Sequence, residues 1–110
     1  TSAAGALRKV ESIAIDPAND RLLIADEERL DIKIYTLDGR FTGEVMGRGV
    51  IRHEPEGMAL YERGEKDCWV VTDQGDARTT FHLFARGDLS HRGAFSGARI
   101  AALTAPICSN

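Results

Sequence analysis

The sequence has few cysteines, no excess of positive charge and no long apolar run, and each absence excludes a class of protein. With only two cysteines in 110 residues, Cys68 and Cys108, no disulfide framework is expected to hold the fold together. A formal net charge of −3 argues against a general nucleic-acid binder, which needs a basic stripe. No stretch approaches the roughly 18 uncharged apolar residues of a membrane-spanning helix. We therefore expect neither nucleic acid nor a membrane among the partners.

Two further absences concern the first residues and the cysteine chemistry. The start, TSAAGALRKVE, has no basic cluster followed by a long apolar core, so it predicts no signal peptide. Cys68 lies in a strand-like apolar run, and its simplest interpretation is a buried free thiol. The chain length fits one domain at most, and the 43% of hydrophobic residues excludes a disordered tail.

The most informative feature that the sequence does contain is an internal repeat. Glu11 of VESIAID falls on Glu56 of PEGMALY at an offset of 45 residues, and Asp26 of LLIADE falls on Asp73 of WVVTDQ at 47. The offset grows to 49 for IKIYT on FHLFA and to 50 for FTGEVMG on HRGAFSG. These insertions fall in turns, as in a true structural repeat. A period of about 45 residues with four strands per unit is typical of a β-propeller blade.

The predicted fold class is therefore all-β, with two four-stranded antiparallel β-propeller blades that form a partial propeller. Strands are expected at about 12–16, 21–27, 31–37 and 41–46, and again at about 56–62, 68–74, 79–86 and 90–96. The first and third strands of each unit alternate apolar and polar residues. The second strands are almost continuously apolar, which is typical of burial on both faces.

The predicted organisation is a single propeller segment over residues 1–110. Blade one covers about 11–50, blade two about 54–97, and a tail covers 98–110, for which a short helix and a fifth strand both stay open. Two blades cannot close a ring, since propellers use typically 4–8. The chain is expected to be a fragment of a larger propeller or a unit that assembles with copies, of which three would supply six blades. The alternative is a small eight-stranded sandwich or barrel that happens to repeat.

Antiparallel geometry gathers carboxylates at one rim, where first strands begin and second strands end. The rim residues are Glu11, Asp26, Glu27, Glu28, Asp31, Glu54, Glu56, Asp73, Gln74, Asp76 and Arg78. Their repulsion calls for a cation, basic groups or protonation, and carboxylates with amide oxygens suit Ca²⁺. Solvated loops, or carboxylates that cap turns, are the structural alternatives. The turns of the opposite rim, PAND and ERGEK, mix charges and are expected to be ordinary solvated turns.

Basic residues on or near this rim are candidates for contact with an anionic substrate. His53 follows Arg52 in the sequence, and Arg78 lies in the loop after the second strand of unit two; all three are candidate substrate-binding residues. His82 faces away from its apolar neighbours and is predicted to be a strand-surface residue. The lysines are expected to lie elsewhere: Lys9, Lys33 and Lys66.

The run HEPEGMALYERGEKDCWVVTDQGDARTTFHLFARGDLSHRGAF resembles the β-propeller phytases and their phytase-like relatives. The family's E-G step, hydrophobic run, Q-G segment and aromatic-x-R turn correspond to Glu56-Gly57, CWVV, TDQGD and FHLFAR, and LLIADEE resembles the family's L-Y-I-A-E-E-D segment. The resemblance covers roughly residues 10–97, which would be two consecutive blades of a six-bladed propeller. Propellers of the NHL type share the sequence pattern of the first blade.

The resemblance implies a Ca²⁺-dependent phosphomonoester hydrolase of the 3-phytase type, acting on phytate outside the cytoplasm, secreted or periplasmic. Bound Ca²⁺ would neutralise the substrate phosphates while an activated water attacks phosphorus. Carried over by position, the metal ligands would be Asp26, Glu27, Glu28, Glu56, Asp73 and Gln74. Asp73 stands where the family usually has a small hydroxyl residue. The resemblance assigns no catalytic residue here.

The rest of the family's site would lie on other blades, so we expect no turnover of phytate by this chain alone. The partners implied are a phosphorylated small molecule and either copies of the chain or the missing blades. The alternatives are a non-catalytic NHL-like propeller segment that binds a ligand or a protein, and a small self-assembling β module without chemistry.

Overall fold

The described part of the chain, residues 6–62 and 67–96 of a computed structural model, forms two four-stranded antiparallel sheets and almost no helix. The first sheet contains β1 (Val10–Asp16), β2 (Arg21–Asp26), β3 (Asp31–Thr36) and β4 (Phe41–Met46). The second contains β5 (Pro55–Tyr61), β6 (Cys68–Gln74), β7 (Thr79–Ala85) and β8 (His91–Phe95). Each strand pairs with the next in chain order. The predicted tail, 98–110, lies outside the described residues.

All eight predicted strands are confirmed, each within two residues of its expected bounds. The reason is local, because turn-forming residues end every strand. In the first turn, Pro17 begins a short 3-10 turn that runs to Asn19. Asp20 then takes a left-handed conformation at φ 50° and donates its backbone N–H to the carbonyl oxygen of Pro17 at 3.3 Å. Asp tolerates this conformation better than most residues, so the chain reverses here into β2.

The core lies between the two sheets, which contact each other chiefly through β1 and β5. Apolar residues from both sheets and from the linker between them form one cluster: Leu23, Ala25, Ile32, Ile34, Met46, Ile51, Trp69, Val71, Phe84 and Leu89. The middle strands β2 and β6 are buried along most of their length, which confirms their interpretation as strands covered on both faces.

The two sheets meet through faces that are not equivalent in the repeat. Leu23 of β2 points into the shared core, and its counterpart Val70 lies on the far side of the second sheet. Trp69 of β6 points into the same core, whereas its counterpart Leu22 lies on the far side of the first sheet. The two sheets therefore stack in the same orientation. The face that the first sheet turns to the shared core corresponds to the face that the second sheet turns away from it.

Cys68 differs from its sequence-based interpretation. The residue is fully buried, but it is disulfide-bonded rather than a free thiol, so that expectation was wrong. The sequence contains one other cysteine, Cys108, which lies outside the described residues. Pairing of cysteines depends on spatial proximity, which the spacing of two residues along the chain does not reveal. Among the described residues, no helix has the length and apolarity needed to cross a membrane.

Candidate metal site

Three glutamates from both sheets converge at the rim where β1 and β5 begin. Glu11 lies on β1, Glu27 directly follows β2, and Glu56 lies on β5; one carboxylate oxygen of each lies within 4.8 Å of the others. Glu11 and Glu56 are repeat counterparts, and they approach because β1 and β5 are the strands through which the sheets pack. We call these residues the glutamate triad.

The triad concentrates negative charge, and the ionisation of its members reflects this. Hydrogen bonding with Glu27 and Glu56, together with the charge of Glu56, raises the pKa of Glu11 to about 7. The charge of Glu27 is the main cause that raises the pKa of Glu54, which precedes β5 beside the triad. Hydrogen bonding from Glu11 lowers the pKa of Glu27. Without a cation, the carboxyls therefore hold a proton near neutrality.

A lysine also reaches this rim. The Nζ of Lys9 donates to Oε1 of Glu27 at 3.3 Å, from a side chain that is 63% exposed. The expectation that the lysines would lie elsewhere was therefore wrong for Lys9. It was also wrong for the buried Lys33, whose Nζ lies 2.9 Å from Oδ1 of Asp31 and 3.6 Å from Oδ2 of Asp26. Lys9 lies in the segment before β1, which folds back along the end of β2 where the Glu27 N–H meets the Lys9 carbonyl at 2.9 Å. Because the Lys9 side chain is exposed, its ion pair with Glu27 contributes little to stability.

Asp26 lies next to the triad in sequence but serves the scaffold. Its carboxylate is fully buried and accepts backbone N–H groups of Arg8 at 2.8 Å and Lys9 at 3.1 Å. It also accepts the N–H groups of Glu28 at 3.1 Å and Arg29 at 3.2 Å. Burial opposes its ionisation, but the N–H donors outweigh burial and lower its pKa. Asp26 thus fastens the segment before β1 to the turn after β2.

Asp73 repeats this arrangement in the second sheet. Its buried carboxylate accepts the backbone N–H groups of Arg52 and His53, both at 2.8 Å. The Nε2 of His82 lies 3.2 Å from its Oδ2. His82 is only 6% exposed, so its expected place on the strand surface was wrong. A polar residue can face the covered side of a strand when a buried acceptor pairs with it, and Asp73 provides that acceptor.

The six predicted metal ligands therefore separate in space. Glu27 and Glu56 meet in the triad, whereas Asp26 and Asp73 are engaged by the scaffold as turn-capping acceptors. The remaining two side chains are exposed: Glu28 and Gln74. Gln74 accepts the hydroxyl of Thr79 at 2.9 Å through Oε1. Glu11 was recognised as a rim residue but not as a ligand, although its repeat correspondence with Glu56 was the signal that could have found it.

A cleft of about 380 Å³ adjoins the triad. It is lined by His53, Glu54, Gln74, Gly75, Asp76, Ala77 and Arg78. A Cβ at Gly75 would stand 3.1 Å from the imidazole carbon Cδ2 of His53. The absence of a side chain at Gly75 therefore leaves room for the His53 ring in the wall of the cleft. Two of the three predicted substrate-binding residues, His53 and Arg78, thus share one cleft. Arg52 is exposed and holds Asp73 through its backbone N–H.

Glu54 lies between the cleft and the glutamate triad, because it lines the cleft and the charge of Glu27 raises its pKa. The rim therefore presents a carboxylate group beside a cleft with an imidazole and a guanidinium. Comparison with family models, curated proteins and solved structures finds no match to this chain. Function must therefore be inferred from the chemistry of the rim.

Proposed function

We propose that the glutamate triad binds Ca²⁺ and that the chain is part of a Ca²⁺-dependent, phytase-like phosphomonoester hydrolase. The observation that carries this proposal is the convergence of three carboxylates from two sheets within 4.8 Å. Ca²⁺ binds oxygen at about 2.3–2.6 Å, so two ligands of one ion lie at most about 5 Å apart. The triad meets that limit. Bidentate carboxylates and backbone carbonyls fill the rest of such a coordination sphere.

The cleft beside the triad is the proposed place of the substrate. Arg78 supplies a guanidinium, which matches the geometry of phosphate oxygens, and His53 supplies an imidazole to the same cleft. Ca²⁺ would contribute neutralisation of the phosphate charge. The carboxylates of Glu54 and Asp76 also line the cleft and repel a free phosphate. The proposal therefore requires Ca²⁺ to bind before the phosphate group does.

We further propose that the two sheets are consecutive blades of a propeller. Each has four antiparallel strands in chain order, and successive sheets stack in the same sense, as blades do. A sandwich of two equivalent halves would bring equivalent faces together. Two blades supply part of a rim, so the chain alone is expected to bind Ca²⁺ and phytate without turning phytate over.

Calcium titration of the chain, followed by calorimetry and by thermal unfolding, tests the metal proposal. Ca²⁺ should raise the melting temperature of the wild-type chain, because a ligand that binds only the folded state stabilises it. The double variant Glu11→Gln/Glu56→Gln should lose this rise. Glu28→Gln is the matched control, since Glu28 is an exposed rim carboxylate outside the triad, and it should keep the rise. Absence of any Ca²⁺-dependent stabilisation in the wild type would refute the proposal.

A second measurement addresses the substrate. Phytate should bind the chain only in the presence of Ca²⁺, and Arg78→Ala should weaken this binding while leaving the Ca²⁺ titration unchanged. Phosphate release should be absent with and without Ca²⁺. Binding of phytate that is equally strong in a chelator would contradict the proposed order.

The second candidate function is a non-catalytic NHL-like segment that binds a ligand or a protein at this rim. The specific observation in its favour is that Asp26 and Asp73 are occupied as scaffold acceptors, which leaves fewer free carboxylates than a multi-metal site needs. This candidate predicts no calcium response, so the same titration separates the two.

A further inference from the structure

A second cleft lies on the first sheet, on the face that is turned away from the shared core. Its volume is about 240 Å³, and three of its lining side chains are cationic: Arg29, Lys33 and Arg48. Ile32 and Ile34 point into the shared core, so the alternation along β3 places Lys33 on the opposite face. None of the triad residues lines this cleft. It is therefore a separate site, which we call the basic cleft.

Lys33 supplies a buried positive charge in the wall of the basic cleft. Its side chain is only 2% exposed, and the carboxylates of Asp31 and Asp26 lie beside its Nζ. A buried charge is tolerated when partners of opposite charge surround it. Asp26 also accepts four backbone N–H groups, so its own charge is fully engaged. Lys33 therefore prevents the two aspartates from making the cleft negative.

Arg48 and Arg29 supply positive charge at the exposed edge of the basic cleft. Nη2 of Arg48 donates to Oδ2 of Asp31 at 2.9 Å, although the Arg48 side chain is 66% exposed. Both oxygens of Asp31 thus have a cationic partner. Arg29 is exposed in the turn before β3, and it forms no ion pair with any residue that the structure describes. The lining and its buried partners contain three cations and two carboxylates, which leaves one positive charge uncompensated.

The strand β4 gives the basic cleft an apolar wall with open space beside it. Phe41 and Val45 line the cleft. The pairing of β3 with β4 is irregular between Lys33 and Tyr35, and Gly43 lies in the corresponding stretch of β4 with a φ of +92°. No described atom lies within 4 Å of a Cβ built on Gly43. Such an irregularity bends a strand and is frequent beside functional sites. The bend leaves room here for the apolar part of a ligand.

We propose that the basic cleft binds a small organic monoanion, a carboxylate carried on a short apolar group. The guanidinium groups of Arg29 and Arg48 bind the carboxylate, whose planar geometry they match. Phe41 and Val45 contact the apolar group. A monoanion fits better than a dianionic phosphate, because only one positive charge is uncompensated and the buried aspartates oppose a second negative charge. The basic cleft shares no residue with the triad or with the cleft beside it, so this proposal does not depend on Ca²⁺.

Titration of the ¹⁵N-labelled wild-type chain with benzoate, followed by NMR in metal-free buffer, tests the proposal. Benzoate should shift the Nε–H signals of Arg29 and Arg48 and the amide signal of Gly43 in a saturable way, with a Kd of about 1 mM or less. Benzamide has a similar shape without the charge, and it should bind at least about tenfold more weakly. Inorganic phosphate above neutral pH, where the dianion dominates, should also bind at least about tenfold more weakly than benzoate.

Two arginine variants assign the binding to this cleft. Arg29→Gln removes a guanidinium that has no ion pair among the described residues, so the fold should persist while benzoate binding weakens about tenfold. Arg40→Gln is the matched control, because Arg40 is an exposed arginine in the turn between β3 and β4 and does not line the cleft. It should bind benzoate like the wild type. The amide spectra of both variants report on the fold, and the comparison of the three probes needs only the wild-type chain.

Three outcomes would overturn the proposal. The first is a wild-type chain in which benzoate causes no saturable shift at Arg29, Arg48 or Gly43. The second is binding of benzamide or of phosphate that is as strong as that of benzoate, which would mean that the cleft does not select a carboxylate. The third is a folded Arg29→Gln variant that binds benzoate like the wild type.

Discussion

Arg86 donates two hydrogen bonds to one carboxylate oxygen of Asp16, a residue 70 positions away in the other sheet. Its Nε lies 3.1 Å and its Nη2 2.8 Å from Oδ1 of Asp16. The same guanidinium reaches Asp67 through Nη1 at 2.8 Å, and Arg21 approaches the other oxygen of Asp16 at 3.3 Å. The sheets are thus joined by an ionic network at the rim opposite the glutamate triad, where the sequence suggested only solvated turns.

Removal of Arg86 should destabilise the chain strongly. Arg86→Leu leaves the fully buried Asp16 without its main partner, and the loss of one member of a buried pair costs about 3–5 kcal/mol. Denaturant unfolding measures the change. The control is Arg40→Leu, whose pair with Asp38 is 83% and 64% exposed and should contribute at most about 1 kcal/mol. Equal effects of the two substitutions would show that the network does not hold the sheets.

Acid should destabilise the chain through three buried carboxylates. Burial opposes ionisation of Asp16, Asp26 and Asp73, but hydrogen-bond donors outweigh burial and lower each pKa below the ordinary value of 3.8. Their contribution is therefore complete above that value and is lost as pH falls through the lowered pKa values of the folded state.

Melting temperature against pH checks this prediction. Asp73→Asn should lower the melting temperature at neutral pH and reduce its dependence on pH in the acid range. The Asn side chain keeps one acceptor oxygen but carries no negative charge beside His82. The exposed Asp76 is the control position, and Asp76→Asn should leave both features unchanged. An unchanged dependence on pH in the acid range for Asp73→Asn would argue against a role for this carboxylate.

Glu11 of the glutamate triad should contribute the opposite pH dependence. The pKa of Glu11 is raised to about 7 from an ordinary 4.5, so the folded state binds more protons than the unfolded state between these values. Stability should therefore decrease as pH rises through this window. In a chelator, Glu11→Gln should remove this loss and melt above the wild type at pH values over 7.

Glu44→Gln is the control for that experiment, because Glu44 is exposed on β4 and lies outside the triad. It should follow the wild-type pH profile. A Glu11→Gln profile that is parallel to the wild type would contradict the shared-proton arrangement.

Gly47 should be intolerant of a side chain. Its φ is +84°, and a Cβ there would stand 2.6 Å from Cδ1 and 3.1 Å from Cγ1 of Ile51. Ile51 is buried in the shared core, so it has little room to yield. Gly47→Ala should cost about 1 kcal/mol for backbone strain and about 1–3 kcal/mol for overpacking.

Gly49→Ala separates these two contributions. Gly49 has a similar φ of +81°, but no described atom lies within 4 Å of its Cβ position. Gly49→Ala should therefore lose only about 1 kcal/mol of stability, which is the cost of the backbone strain. Denaturant unfolding of both variants provides the comparison, and equal losses would show that Ile51 moves aside without cost.

Local patterns in the sequence determined the strands and their order. Turn residues separate short apolar runs, as in PAND before β2, and adjacent antiparallel strands need only a tight turn to pair. The repeat follows from the same patterns, since Asp26 and Asp73 end equivalent strands. Strand bounds were therefore predictable to within two residues.

Only the tertiary structure decided which polar groups meet. Alternation shows that Ile13 and His82 lie on particular faces, but not which face another sheet covers; Ile13 is exposed and His82 buried. Likewise, Glu11 meets Glu56 because β1 packs beside β5, and Arg86 contacts Asp16 across 70 residues of sequence. Pattern and turn chemistry act over a few residues, whereas these encounters depend on the angle and offset at which two finished sheets stack, which no local sequence signal encodes.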